Sequence, residues 1–278
     1  MIAFRLDANK YQIGVWNETD KCYDPKEDYV AGLRTQRDYI FASTLAVYGG
    51  GYGENTEIWG DVNINLTDNA GILKVYGGGE QGVVGHINRT NGTYQTLNGQ
   101  LSVAADGYFD TKINMAANLV QPDVVDKFNV GRVYGGGFQG VVTGNTALYL
   151  GGGKVSEAIA GAANADIYGY TEMFIGKDLA GQYDNDNPFT AAREFDKAGN
   201  VYGGNDFGGK IWGAGQHTVA AVSGGMTEKK VTSNTYVEYQ RGLIGNSVYG
   251  GACGSYNYSN GAYTAARSDP PVRNEPYH

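Results

Sequence analysis

Two glycine-rich stretches are the first places in this chain where residue type and spacing could do chemistry. Arg132 to Gly144 reads RVYGGGFQGVVTG, with Gly135-x-Gly137-x-x-Gly140, and an earlier copy carries Gly77-x-Gly79-x-x-Gly82. That spacing spells a dinucleotide fingerprint, which needs a strand, a glycine turn and then a helix whose N-terminus meets the pyrophosphate. Here the glycines run into Val83-Val84-Gly85 and Val141-Val142, which are strand-like, and no acidic residue is placed for a ribose. The expectation is therefore that no cofactor binds and that the glycines serve the backbone.

Other chemistry is sparse. His86, His217 and His278 form no metal-spaced cluster and sit beside no nucleophile motif. The run ending in Lys154 fails as a phosphate loop because Val155 follows. Asp184 to Asn187 reads DNDN, like the start of a calcium loop, but the fifth position is Pro188 and the turn glycine is missing. Carboxylate pairs for glycoside cleavage could be drawn from Asp61, Asp106, Asp166 or Asp206, yet sequence puts no two at a working separation. No catalytic residue and no metal ligand is assigned. Cys22 and Cys253 read as plain thiols.

Composition says what must position any site. The chain has 278 residues, 44 of them glycine and 22 tyrosine, with only six prolines, which fits many short strands cut by tight turns. Its formal charge is −8 and no Lys/Arg cluster occurs, so nucleic acid is excluded as an expected partner. No 18-residue apolar run offers a membrane span. The first residues lack the apolar core of a secretion signal.

The glycines hide a repeat. Val-Tyr-Gly-Gly begins at Val47, Val75, Val133, Val201 and Val248, and weaker copies centre on Val103, Ile159, Leu179 and Val222. These markers stand 20 to 30 residues apart. Between them recur period-two segments starting at Val62, Thr111, Thr146, Thr171 and Thr235, each with one apolar face. The resulting expectation is an all-β fold, a parallel β-solenoid (β-helix) of about seven to nine short coils with Gly-rich corners, spanning 47–255. The marker valines should form an inward ladder and the adjacent tyrosines should face the other way. Glycine suits the corners because φ can be positive there and a side chain would hit its stacked copy. Asn145 and Asn234 suit them through their tolerance of the left-handed conformation. Propeller blades of about 40–45 residues are disfavoured by the shorter gaps.

Residues 1–46 are expected to form an N-terminal cap or linker, and 256–278 a polar, proline-rich tail or linker. Two interruptions, His86–Gln100 and Gly181–Asn200, should lie on one face, and such a face is often the binding one. The candidate ligand contacts are Tyr48, Tyr76, Tyr134, Tyr202 and Tyr249, whose rings could pack on sugars or another protein. Against this, the same rings could simply stack on each other and stiffen the sheet.

The repeated VYGGG, followed in Val133 to Gly153 by a GxVxGxTxLxLGGG-like pattern, resembles long Gly-rich repeat proteins of gut Bacteroidota. Those look like surface-exposed or secreted β-solenoids of adhesin type, and the resemblance covers roughly 47–255. It implies a non-enzymatic structural or adhesive module, secreted or at the cell surface, with its signal outside this chain and with the chain part of something longer or of an assembly. Its expected partner is a glycan or a host or bacterial surface protein. The alternatives are a carbohydrate-binding or carbohydrate-cleaving β-helix and a segment of a phage tail or receptor-binding fibre.

Overall fold

In a computed structural model, the structure describes residues 2–7, 10–17, 22–30, 44–97, 99–123, 127–193, 199–213, 235–253, 257–259 and 262–265. None of them is helical, so no helix is long and apolar enough to cross a membrane. Ile2–Asp7, Lys10–Asn17 and Cys22–Val30 form an antiparallel meander, and Asn257–Ser259 pairs antiparallel with Ala262–Ala265. Between them the pairing is parallel, except for short antiparallel pairs within residues 86–107.

Three parallel ladders organise it. The first sheet runs Thr44–Tyr48, Ile72–Tyr76, Val130–Tyr134 and Lys154–Ile159, then Thr190–Ala191 with Asn200–Tyr202, then Leu243–Ile244 with Val248–Tyr249. The second runs Val62–Leu66, Thr111–Met115, Thr146–Leu150, Thr171–Ile175 and Thr235–Tyr239. The third is the narrowest: Glu57–Ile58 pairs with Val83–Val84, and single bridges extend it through Val142 and Ile167 to Ile211. Each pass of the chain visits the first, third and second ladders in that order.

Register explains the packing. Val47, Val75, Val133, Ala158, Val201 and Val248 are successive partners in the first sheet. Val75, Val133, Ala158 and Val201 are fully buried against Ile113, Leu148 and Met173 of the second sheet. Val84, Val142 and Ile167 close the third side. Strict alternation in Thr111–Met115 and Thr171–Ile175 buries every second residue, as a half-exposed strand requires.

The first residue of those strands ties two ladders together. The buried hydroxyls of Thr111 and Thr146 donate to the carbonyls of Gly135 and Ala160, at 2.6 and 2.5 Å, and that of Thr171 donates to Gly203. Each bond satisfies a carbonyl in the bend after the first sheet that would otherwise be buried unpaired. Ahead of these strands a second relay runs along the stack. Asp61 accepts from the Asp110 N–H, Asp110 from the Asn145 N–H, and Asn145 from the Tyr170 N–H, at 2.9, 2.7 and 3.0 Å.

Several expectations are corrected. The first sheet has six rungs among the described residues, not seven to nine. Val103 is no rung; it bridges Ile87 antiparallel inside an inserted flap. Leu179 is an exposed turn residue, and Val222 lies outside the described residues. Ile159 pairs with Tyr134 and Tyr202, because Ala158 holds the valine place. Val248, in the last rung, is 42% exposed rather than inward and covered. Asn145 has no left-handed φ and works through its side-chain oxygen, while Asn234 lies outside the described residues. Nor does φ explain the Val-Tyr-Gly-Gly glycines, none of which is left-handed. Collision does: a Cβ on Gly77 would sit 2.1 Å from the Gly135 carbonyl oxygen, and one on Gly135 2.1 Å from that of Ala160.

Candidate binding face on the third ladder

The residues that follow the inward-pointing positions of the third ladder are Trp59, Gly85, Thr143, Tyr168 and Trp212. Both tryptophans sit in the same local sequence, Ile-Trp-Gly at 58–60 and 211–213. Each isoleucine lies on the ladder, and alternation sends the next side chain outward. The two rings are four ladder steps apart, about 19 Å at about 4.8 Å per step.

Trp59 is 65% exposed yet held by two contacts. Its indole N–H donates to Glu57 Oε2 at 2.6 Å, and one ring face stacks on His86 with centroids 3.9 Å apart. Glu57 in turn takes Arg89 Nε and Nη2 on Oε1 at 2.8 and 2.6 Å, and the Ile87 N–H on Oε2 at 3.3 Å. Burial works against the charge on Glu57, but the bonds from Trp59, Arg89 and Ile87 outweigh it and hold the carboxyl below its usual value. The Arg89 guanidinium lies over Tyr94, 4.2 Å from its centroid. His86 Nδ1 is 3.2 Å from Asp106 Oδ1, a carboxylate whose side chain is 84% exposed.

Trp212 repeats the arrangement with different residues. Its indole N–H donates to Asp166 Oδ2 at 2.9 Å, the other Asp166 oxygen accepts the Lys210 N–H at 2.8 Å, and Lys210 Nζ lies 4.9 Å from the ring centroid. Between the two tryptophans lies the flap formed by residues 86–107. An Asn91-Gly92 turn with both φ positive joins Arg89–Thr90 to Thr93–Tyr94, the geometry a two-residue hairpin needs. Thr96–Leu97 pairs with Gln100–Leu101. The flap is pinned to the ladder: Thr143 Oγ1 donates to the Gly107 carbonyl at 2.7 Å, and the Leu101 N–H donates to the Tyr168 hydroxyl at 2.6 Å. Burial pushes the Tyr168 hydroxyl up to about 12.

The tyrosines of the first sheet stand differently. Tyr48, Tyr76 and Tyr134 stack at 4.8 Å per step, and Tyr202 stacks on Tyr249 at 5.0 Å. Tyr76, Tyr134 and Tyr202 are buried at 2, 1 and 8% exposure, Tyr48 is half-buried, and only Tyr249 is open, at 45%. Tyr76 has a tyrosine on each face, and Ile159 holds the place between Tyr134 and Tyr202. Beside them lies a charged group that sequence spacing did not single out: Arg132 Nε is 2.7 Å from Glu157 Oε2, and the Tyr134 hydroxyl donates to Asp206 at 2.9 Å. Lys74 is the register neighbour of Arg132, and burial, then Arg132, depress its ammonium.

The remaining candidates disperse. Asp61 is bound into the corner relay, Asp106 lies on the flap, Asp166 holds Trp212 and Asp206 lies beside Tyr134. Asp184 accepts the Asp186 and Asn187 N–H groups at 2.8 and 3.1 Å, and those bonds lower its pKa. Its loop and the 86–107 flap lie on different connections, not on one face: the first joins the second sheet to the first, the second joins the third ladder to the second. Among the described residues no group of three or more His, Cys, Asp or Glu could hold a metal. Cys253 packs against the tyrosine column; His217, His278 and the Cys22 side chain lie outside the described residues. The residues after Gly82 and Gly140 run into the third ladder, at Val83–Val84 and Val142, where a nucleotide fingerprint requires a helix. The signal for the tryptophan face was present in sequence as the repeated Ile-Trp-Gly. No family model, no curated protein and no solved structure matches the chain.

Proposed function

We propose that this protein is a non-enzymatic adhesive module of a secreted or cell-surface protein, a β-solenoid that displays a glycan-contacting face along its third ladder. The stacked reading rests on three parallel ladders visited in a fixed order with matching register at every step. Its role as a display surface rests on one observation: Trp59 projects into solvent while a carboxylate and an imidazole fix its orientation.

A ring held this way loses little freedom on binding, which favours affinity. With His86 on one face, the other is open to the apolar C–H face of a pyranose, and the carboxylate of Asp106 offers acceptors for hydroxyls. The polar surroundings favour a sugar over a protein partner, whose hot spots sit in desolvated apolar patches. Trp212 offers a second, weaker platform, being 36% exposed.

The test is a glycan array followed by titration calorimetry on wild type, Trp59→Ala and Trp212→Ala, with a reducing-sugar assay in parallel. Binding that Trp59→Ala abolishes supports the reading. Binding unchanged in both variants removes the face from the account, and release of reducing ends transfers the protein to the carbohydrate-cleaving class.

A further inference from the structure

The last rung of the first sheet repeats the sequence of the inner rungs without the neighbour that makes that sequence necessary. Gly50, Gly78, Gly136, Gly161, Gly204 and Gly251 occupy one column, and backbone bonds link most of its steps: Gly50 N–H to Gly78, Gly136 to Gly161, Gly161 to Gly204, and Gly204 to Gly251. In the inner rungs a Cβ would have no room. It would lie 2.5 Å from Gly79 N at Gly50, 2.7 Å from Gly137 N at Gly78, and 2.7 Å from Ala252 N at Gly204. The obstructing atoms belong to the following rung. At Gly250 and Gly251, nothing lies within 4 Å among the described residues.

Hydrogen bonding is open at the same place. Val201, Gly203 and Gly204 donate to Ser247, Tyr249 and Gly251 of the next rung at 2.9, 2.8 and 3.0 Å. The equivalent donors one rung on are Val248, Gly250 and Gly251, and none of them finds a backbone acceptor among the described residues. At the opposite end, Tyr48 and Gly50 carry the carbonyls that in inner rungs accept these bonds, and no donor reaches them among the described residues. The side chains agree: Leu243, Val248 and Tyr249 are 61, 42 and 45% exposed, where Val201 and Tyr202 one rung earlier are 0 and 8%. An end of a stacked array is ordinarily closed by polar residues, and an unpaired apolar strand edge is a template for another chain.

We infer that the Val248–Gly251 edge docks a second copy of this chain through that copy's first rung, Thr44–Gly50. The register is fixed by what each edge presents. Val248, Gly250 and Gly251 N–H would donate to the Ala46, Tyr48 and Gly50 carbonyls of the second copy, Tyr249 would stack on its Tyr48, and Val248 would meet its Val47. Because the two edges differ, the contact is head-to-tail and leaves both outer edges available for further copies. The inference rests on the stacked-rung reading but not on glycan binding, and the two are read by different measurements.

The test is sedimentation velocity across a concentration series on the full chain, with thermal melting alongside. Wild type should rise from the monomer mass in whole-monomer steps. Gly251→Val should stay at the monomer mass at every concentration with an unchanged melting temperature, since a Cβ there meets nothing within 4 Å among the described residues. Gly204→Val, one rung inside, should melt at least 10 °C lower, or fail to fold, because its Cβ meets backbone. A wild type that stays monomeric throughout, or a Gly251→Val that associates like wild type, overturns the inference.

Discussion

The aromatic side chains of the first sheet and of the third ladder have opposite fates. On the first sheet, tyrosines repeat at the strand spacing on every rung but that of Ile159, and Tyr76, Tyr134 and Tyr202 are buried, while Tyr48 and Tyr249 at the two ends are less covered. On the third ladder, Trp59 is followed in its column by Gly85 and Thr143, so no aromatic of its own column stacks on it; His86 covers one ring face and no ring stacks on the other among the described residues. A periodic aromatic thus becomes a structural element, whereas an isolated aromatic fixed by polar neighbours becomes a surface. Repetition covers ring faces inside the array: Tyr76, Tyr134 and Tyr202 are buried there, and Tyr249 on the last rung is the open one.

Substitution should separate the columns sharply. Tyr134→Ala removes a fully buried ring stacked on Tyr76 and hydrogen-bonded to Asp206, and should cost about 3–5 kcal/mol of stability by chemical denaturation. Trp59→Ala, at an exposed position, should cost under about 1 kcal/mol in the same measurement. If the two costs came out equal, the division between a structural and a surface column would fail.

The ladder chemistry offers an intermediate effect. Thr146→Val keeps the shape of a buried side chain but deprives the Ala160 carbonyl of its donor, for a cost of about 1–3 kcal/mol. Thr235→Val is the comparison at the sparsely covered end, where the residue is half-buried, and should cost less. A loss at Thr146→Val indistinguishable from zero would show that the hydroxyl bridge adds nothing beyond packing.

How much of this was legible in sequence follows from what repeats strictly. The marker valines and the second-sheet alternation were readable because each rung imposes the same inward position, and Thr111, Thr146 and Thr171 even announce the hydroxyl bridge. The rung count was not readable. Residues 86–107 interrupt one pass and carry Val103 in a setting that mimics a marker, and Leu179 sits in a turn with similar letters. At Ile159 the aliphatic residue drew attention one place too far, because the inward position was filled by the smaller Ala158. The tryptophan face escaped because its two copies are four rungs apart and periodicity rewards near neighbours. The charged group around Arg132 escaped because Glu157 and Asp206 meet it only through register and a bend.

Alkali should test the buried tyrosine hydroxyls of both next. Burial raises the Tyr202 hydroxyl well above its ordinary value and pushes Tyr168 up to about 12. For a group raised on folding, the stabilisation is complete below the unfolded value, near 10, and is lost as pH climbs through the folded one. Stability should therefore hold to about pH 10 and fall between about 10 and 12, with buried tyrosines ionising late in an ultraviolet titration. Tyrosine absorbance that titrates in one step near 10 on the folded protein would contradict the burial of the Tyr202 and Tyr168 hydroxyls.

The smallest effect concerns the anchor of Trp59. Glu57 is held below its usual carboxylate value, so its contribution is present above the unfolded value, near 4.3, and disappears as pH falls through the folded one. Protonation would weaken the bond from the indole N–H and the pairing with Arg89, releasing a ring that is already mostly in water. The global fold should scarcely register the change, while Trp59 emission should shift below about pH 4 in a Trp16→Phe/Trp212→Phe background, where it is the one tryptophan left. Glu57→Gln should shift that emission at neutral pH and abolish the acid transition, since an amide accepts from the indole but carries no charge for Arg89. An acid transition that survives in Glu57→Gln would assign it to another carboxylate and leave the ring's orientation to His86 alone.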